Sequence, residues 1–107
     1  MKNRKVAKKQ REYDLMVLKI IKEISKTPEA RLSIREISRI LNINAMAVSR
    51  SISRLNSLLD VKKGSNFESF RLKVYLIRLK PELENLSIEE LIKKNHLYNK
   101  LSKDIMG

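Results

Sequence analysis

The sequence predicts a mainly helical α+β fold: three helices, a β-hairpin and a C-terminal helix. Three observations carry this expectation. Only two glycines and two prolines punctuate 107 residues, so helices meet few stops. Two S-x-x-E boxes, Ser33 to Glu36 and Ser87 to Glu90, each stand at the head of an apolar-periodic run and mark helix starts. Between these two helical regions, Phe70, Leu72, Val74 and Leu76 alternate with Arg71, Lys73, Tyr75 and Ile77, which is strand periodicity.

In chain order, residues 1–11 are too polar to pack and are expected to form a flexible basic arm. The first helix should run from about Glu12 to Lys26, with Tyr13, Val17, Ile20, Ile21 and Ile24 on its core face. Leu15, Met16 and Leu18 fall partly off that face, a breadth that suits a dimer contact. Thr27-Pro28 ends the helix. The second helix is short, with Ile34, Ile37, Ile40 and Leu41 inward. Asn42 follows it, because asparagine after glycine best tolerates the left-handed position past a helix end. Ile43 plugs the turn and Asn44 caps the third helix.

The third helix is expected over about Ala45 to Leu58. Val48, Ile52, Leu55 and Leu59 make its core stripe, while Met46, Arg50, Ser53 and Ser57 lie opposite, flanked by Ala47, Ser49 and Arg54. A hairpin follows: one strand at Leu59 to Lys63, a turn at Gly64-Ser65-Asn66, and a second strand that Pro81 closes off. In the C-terminal segment Leu91, Tyr98, Leu101 and Ile105 follow heptad-like spacing, with a kink or break expected at Asn95-His96. Ile88 and Ile92 face elsewhere, toward the domain. The row reads equally as a dimer seam or as a helix packed on its own domain. These features divide the chain into an arm (1–11), a central domain (12–80) and a helical extension (81–107).

Charge narrows the function. The chain carries 24 Lys+Arg against 12 Asp+Glu, a formal +12. Residues 1–11 hold six bases and no acid, and residues 31–80 hold eleven bases and three acids. A solubility device would spread this charge evenly; its concentration on the arm and the central segment points to nucleic acid. With no cysteine, disulfides and thiolate metal sites are excluded and a reducing, cytoplasmic compartment is the expectation. No apolar run approaches the ~20 residues that cross a bilayer, and the charged N-terminus does not read as a secretory signal. The lone histidine, His96, lies in a polar stretch, and Gly64 and Gly107 make no phosphate loop. No carboxylate pair has the spacing of an acid/base couple, so no enzyme, cofactor or metal is expected, and no small-molecule effector is evident.

Helix, capped short helix, tight turn, helix and hairpin now stand in order. Leu32 to Leu79 resembles the winged helix-turn-helix transcription regulators of bacteria and archaea, especially the MarR type. The matching residues are the capped second helix, the turn Leu41-Asn42-Ile43-Asn44, and Val48-Ser49-Arg50 with Ile52 and Leu55 behind them. Asn42 departs from the usual turn glycine, and Asp60 stands where such proteins commonly have a glycine before the wing.

The resemblance implies a three-helix core with a two-stranded basic wing and a double-stranded DNA partner. It also implies that the third helix enters the major groove. Asn44, Ala45, Met46, Ser49, Arg50, Ser53 and Arg54 would form the reading surface. Arg50 would be the best base reader, because guanidinium bonds guanine O6 and N7 together. Lys62, Lys63, Arg71 and Lys73 of the wing would meet the backbone or minor groove, and Lys2, Arg4, Lys5, Lys8, Lys9 and Arg11 of the arm would add contacts. Such a protein would act as a homodimeric, nucleoid-associated regulator. A sequence-tolerant chromosome-coating protein and an RNA- or protein-docking module are the competing classes.

Overall fold

The computed structural model describes residues 2–64 and 74–106, with side chains described from 9 to 101 within those spans. Helix α1 spans Lys2–Ile24, α2 Ile34–Leu41, α3 Ala45–Arg54 and α4 Ile88–Met106. Strands β1 (Leu32–Ser33), β2 (Leu59–Lys63) and β3 (Tyr75–Leu79) form one antiparallel sheet in the order β1-β3-β2.

The α2–α3 unit is built by local chemistry. Ser33 accepts from the Glu36 backbone N–H at 3.1 Å while Glu36 accepts from the Ser33 N–H at 3.0 Å, closing the capping box. Asn42 sits in the left-handed region at φ 54° and its N–H bonds the Ser38 carbonyl. The Ser38 hydroxyl donates to the Ile43 carbonyl, which ties the turn back onto α2. Asn44 then caps α3 by accepting from the Met46 N–H at 2.7 Å. A left-handed backbone disfavours any Cβ-bearing residue that lacks asparagine's local hydrogen bonding. Asn42→Ala is therefore expected to cost about 1 kcal/mol in thermal denaturation, and Asn42→Gly to cost nothing.

One core holds the elements together. Val17, Leu18 and Ile21 of α1, Ile37 of α2, and Val48 and Ile52 of α3 are buried with Leu55, Leu58, Leu59, Ile77, Leu79, Leu83 and Leu91. Ile20, Ile24, Ile34, Leu41, Ile43, Leu86 and Ile88 pack against it in part.

Several expectations are corrected. The backbone of residues 2–11 is helical, and α1 starts at Lys2 instead of near Glu12. Lysine, arginine, glutamine and alanine are good helix formers, and polarity alone does not stop a helix when no glycine or proline intervenes. Leu18, placed off the core face of α1, is buried within it, whereas Met16 is exposed. Ile40, expected inward on α2, is 55% exposed.

Helix α3 ends at Arg54, and a 3-10 turn follows over Asn56–Leu58. Asparagine and serine favour such departures from the helix. Ser57 consequently leaves the outer face of α3 and donates to Asn95 of α4 at 2.9 Å. α4 runs unbroken through Asn95 and His96. Within it, Leu91 is buried against the domain rather than on a seam, and Ile92 is exposed.

The sheet has three strands rather than two. The extended backbone that leads into the Ser33 cap pairs with the free edge of β3, Leu32 opposite Ile77 and Ser33 opposite Leu76. On the other edge β2 pairs from Leu59 with Leu79 to Lys63 with Tyr75. β2 falls where the sequence places it; β3 starts at Tyr75, and the expected strand residues 70–73 and turn residues 65–66 lie outside the described residues. Asp60 is accounted for here: it accepts from Arg31 Nη2 at 2.9 Å, fastening the loop before β1 to β2.

Candidate nucleic-acid interface

The caps that fix both ends of the α2–α3 turn also fix which face of α3 points outward. Ala45, Met46, Ser49, Arg50 and Ser53 are all exposed, while Val48, Ser51 and Ile52 are buried on the opposite side. The outward face is thus made of small, hydroxylated and methionine side chains around one arginine. Among the described residues, no carboxylate pairs with Arg50. Met46 is 64% exposed, a large apolar side chain presented to solvent at the helix start. Asn44 is exposed too, but its side-chain oxygen is engaged in the cap.

Arg54 is engaged within the domain. Its guanidinium turns to Asp14 of α1, with Nε 2.9 Å from Oδ2 and Nη2 2.8 Å from Oδ1. The buried Ser51 hydroxyl donates to the same Asp14 Oδ1 at 2.6 Å. Neither Asp14 nor Ser51 is singled out by the sequence pattern. The only available signal is a serine on the core stripe of α3, which needs a buried partner.

In the wing, Lys62 and Lys63 are exposed on β2; Arg71 and Lys73 lie outside the described residues. Of the N-terminal basic residues, Lys9 and Arg11 are exposed on α1. The side chains of Lys2, Arg4, Lys5 and Lys8 lie outside the described ones.

Sequence reasoning also misses a cleft of about 640 Å³ between the first turns of α2 and α3 and the start of β3. Ile34, Arg35, Met46, Ser49 and Tyr75 line it, with Tyr75 41% exposed. The exposed Arg35 therefore extends the basic face beyond α3. Its signal was its place just inside a capped helix, where the side chain points away from the core.

Among the described residues, no group of three or more His, Cys, Asp or Glu side chains is placed to hold a metal ion. No helix of the described chain is long and apolar enough to cross a membrane.

The tight α2–α3 turn, the exposed face of α3 and the strands beside it define the winged helix-turn-helix class. Residues 10–57 match the family model described as winged helix-turn-helix DNA-binding. The match takes in α1 from residue 10 onward, then β1, α2 and α3, and stops before the wing strands. No curated protein and no solved structure matches the chain.

Proposed function

We propose that this protein is a sequence-specific regulator of transcription that binds double-stranded DNA as a homodimer inside the cell and carries no enzymatic activity. The observation that carries the reading is the outward face of α3: small residues that permit close approach to a groove, and Arg50 without a carboxylate partner among the described residues. α3 would lie in the major groove with Arg50 on base edges. Lys62 and Lys63 would meet the backbone, and the basic start of α1 would add phosphate contacts. This division corresponds to a basic extension at 1–11, a DNA-binding unit at 12–80 and an association segment at 81–107. Kinship with MarR-type regulators belongs to the same reading, supported by the Leu41–Asn44 turn and Val48–Arg50.

The test is titration onto a labelled duplex from upstream of the protein's own gene, with excess unrelated duplex at near-physiological salt. A discrete complex that only self-sequence competitor removes is the expected result. Binding lost wholly to unrelated DNA would replace the regulator reading with a sequence-tolerant chromosome-coating one. Absence of any duplex binding at low salt would overturn DNA recognition.

The homodimer reading rests on α4. Residues His96 to Leu101 are all exposed, yet Leu97, Tyr98 and Leu101 are apolar or aromatic and are 54%, 38% and 46% exposed. A second copy of α4 would supply a matching apolar row. Leu101→Glu places a charge in that seam and is expected to weaken self-association at least tenfold, about 1.4 kcal/mol. Sedimentation equilibrium measures it; an unchanged mass distribution would remove α4 from the interface.

A further inference from the structure

Arg54 stands one helical turn beyond Arg50 on α3, at the flank of the outward face, yet it presents no free guanidinium. Asp14 grips it through both oxygens, at 2.9 and 3.1 Å to Nε and 2.8 Å to Nη2. The geometry is that of a forked arginine–carboxylate pair, in which orientation as well as charge is fixed. Ser51, fully buried, donates to the same carboxylate at 2.6 Å and accepts from Arg54 Nη2 at 3.3 Å. The pair is mostly withdrawn from solvent, with side-chain exposures of 33% and 23%. Hydrogen-bonded to a second side chain, it is more than a loose surface contact.

We propose that Asp14 is a specificity-determining residue that withholds Arg54 from DNA phosphate. The proposal rests on the DNA-binding reading given above. An arginine free to swing at the flank of a recognition helix binds phosphate on any sequence, which raises non-specific affinity and so narrows the difference that constitutes specificity. With Arg54 neutralised by α1, Arg50 is left as the helix's own unpaired cation among the described residues. Discrimination then depends on base edges rather than on a second sequence-blind charge. The carboxylate acts through Arg54 and makes no contact with DNA itself.

Three proteins test this: the wild type, Asp14→Asn, and Asp14→Asn/Arg54→Met, which removes the pair without changing net charge. Each is titrated by fluorescence anisotropy against its own upstream duplex and an unrelated duplex over a range of salt, with circular dichroism to verify folding. Asp14→Asn is expected to steepen the salt slope on unrelated duplex by about 0.9, the contribution of one phosphate contact. Affinity for unrelated duplex should rise about fivefold near ~0.15 M salt, and preference for the upstream duplex should shrink accordingly. The double variant is expected to return to the wild-type slope.

A double variant whose slope falls by about 0.9 would mean that Arg54 already sits on phosphate, which overturns the proposal. So would an Asp14→Asn protein that is folded but binds unrelated duplex no better than wild type. If Asp14→Asn fails to fold, the double variant decides by its slope alone. A wild type that binds no duplex overturns the DNA-binding reading and this inference with it. A wild type that binds, with either adverse variant result, overturns only the role of Asp14.

Discussion

Arg78→Met is expected to destabilise the protein by about 3 kcal/mol, enough to lower the thermal midpoint by more than roughly 10 °C in a domain of this size. Arg78 lies on β3 and is only 6% exposed. Its Nη2 donates to the Ser25 carbonyl at 3.1 Å and to Glu84 Oε1 at 2.7 Å; its Nη1 lies 3.3 Å from the Ala30 carbonyl and 3.4 Å from that of Thr27. One guanidinium thus gathers the end of α1, the loop before β1 and the 3-10 turn over Pro81–Leu83 onto the central strand.

Methionine fills much of the space but donates nothing. It leaves the Ser25 and Ala30 carbonyls without this donor, while the Thr27 carbonyl keeps the Ala30 N–H at 3.2 Å; a polar group left unpaired out of water costs about 1–3 kcal/mol. The effect of Glu84→Gln should be smaller. Glu84 is 34% exposed at its side chain, and the amide oxygen can still accept from Arg78. Chemical denaturation of the three proteins checks the order wild type, Glu84→Gln, Arg78→Met. Equal midpoints for Arg78→Met and wild type would mean that the carbonyls are satisfied by solvent and that the arginine is dispensable to the fold.

Arg78 also illustrates where sequence reading reaches its limit. Strand alternation assumes one wet face, but the segment after α1 and Glu84 cover β3 at Arg78, and Ile77, Arg78 and Leu79 are buried in succession. The third strand that makes β3 central is the two-residue β1, too short to carry a periodic signal of its own. The capping boxes at Ser33 and Ser87 and the left-handed Asn42 were legible because each depends on residues within a few positions of one another. Asp14 with Ser51 and Arg54, Arg31 with Asp60, and Ser57 with Asn95 join residues 29 to 40 positions apart, and no local period encodes such pairs. Pattern therefore placed the outward face of α3, including Arg50, but could not separate the arginine that faces out from the one that α1 holds.

That separation sharpens the expected behaviour on DNA. Affinity should fall steeply with salt, because each phosphate neutralised releases counterions: a protein with six to ten such contacts loses about 10³ to 10⁵ in affinity between ~50 and ~200 mM salt. Within that behaviour the two kinds of cation should part. Arg50→Ala is expected to cost about 1–3 kcal/mol on the preferred duplex and much less on unrelated DNA, so the preference collapses by roughly 5- to 150-fold. Lys63, exposed on β2, should act on every duplex alike; Lys63→Ala weakens all of them and reduces the salt slope by about one. Binding isotherms on preferred and unrelated duplexes at several salt concentrations measure both quantities at once. Equal loss by both variants on every sequence would mean that Arg50, too, touches only phosphate. Specificity would then have to come from the shape of the DNA, read by the α3 face and the Met46–Tyr75 cleft beside it, rather than from a charged hydrogen-bond donor on a base.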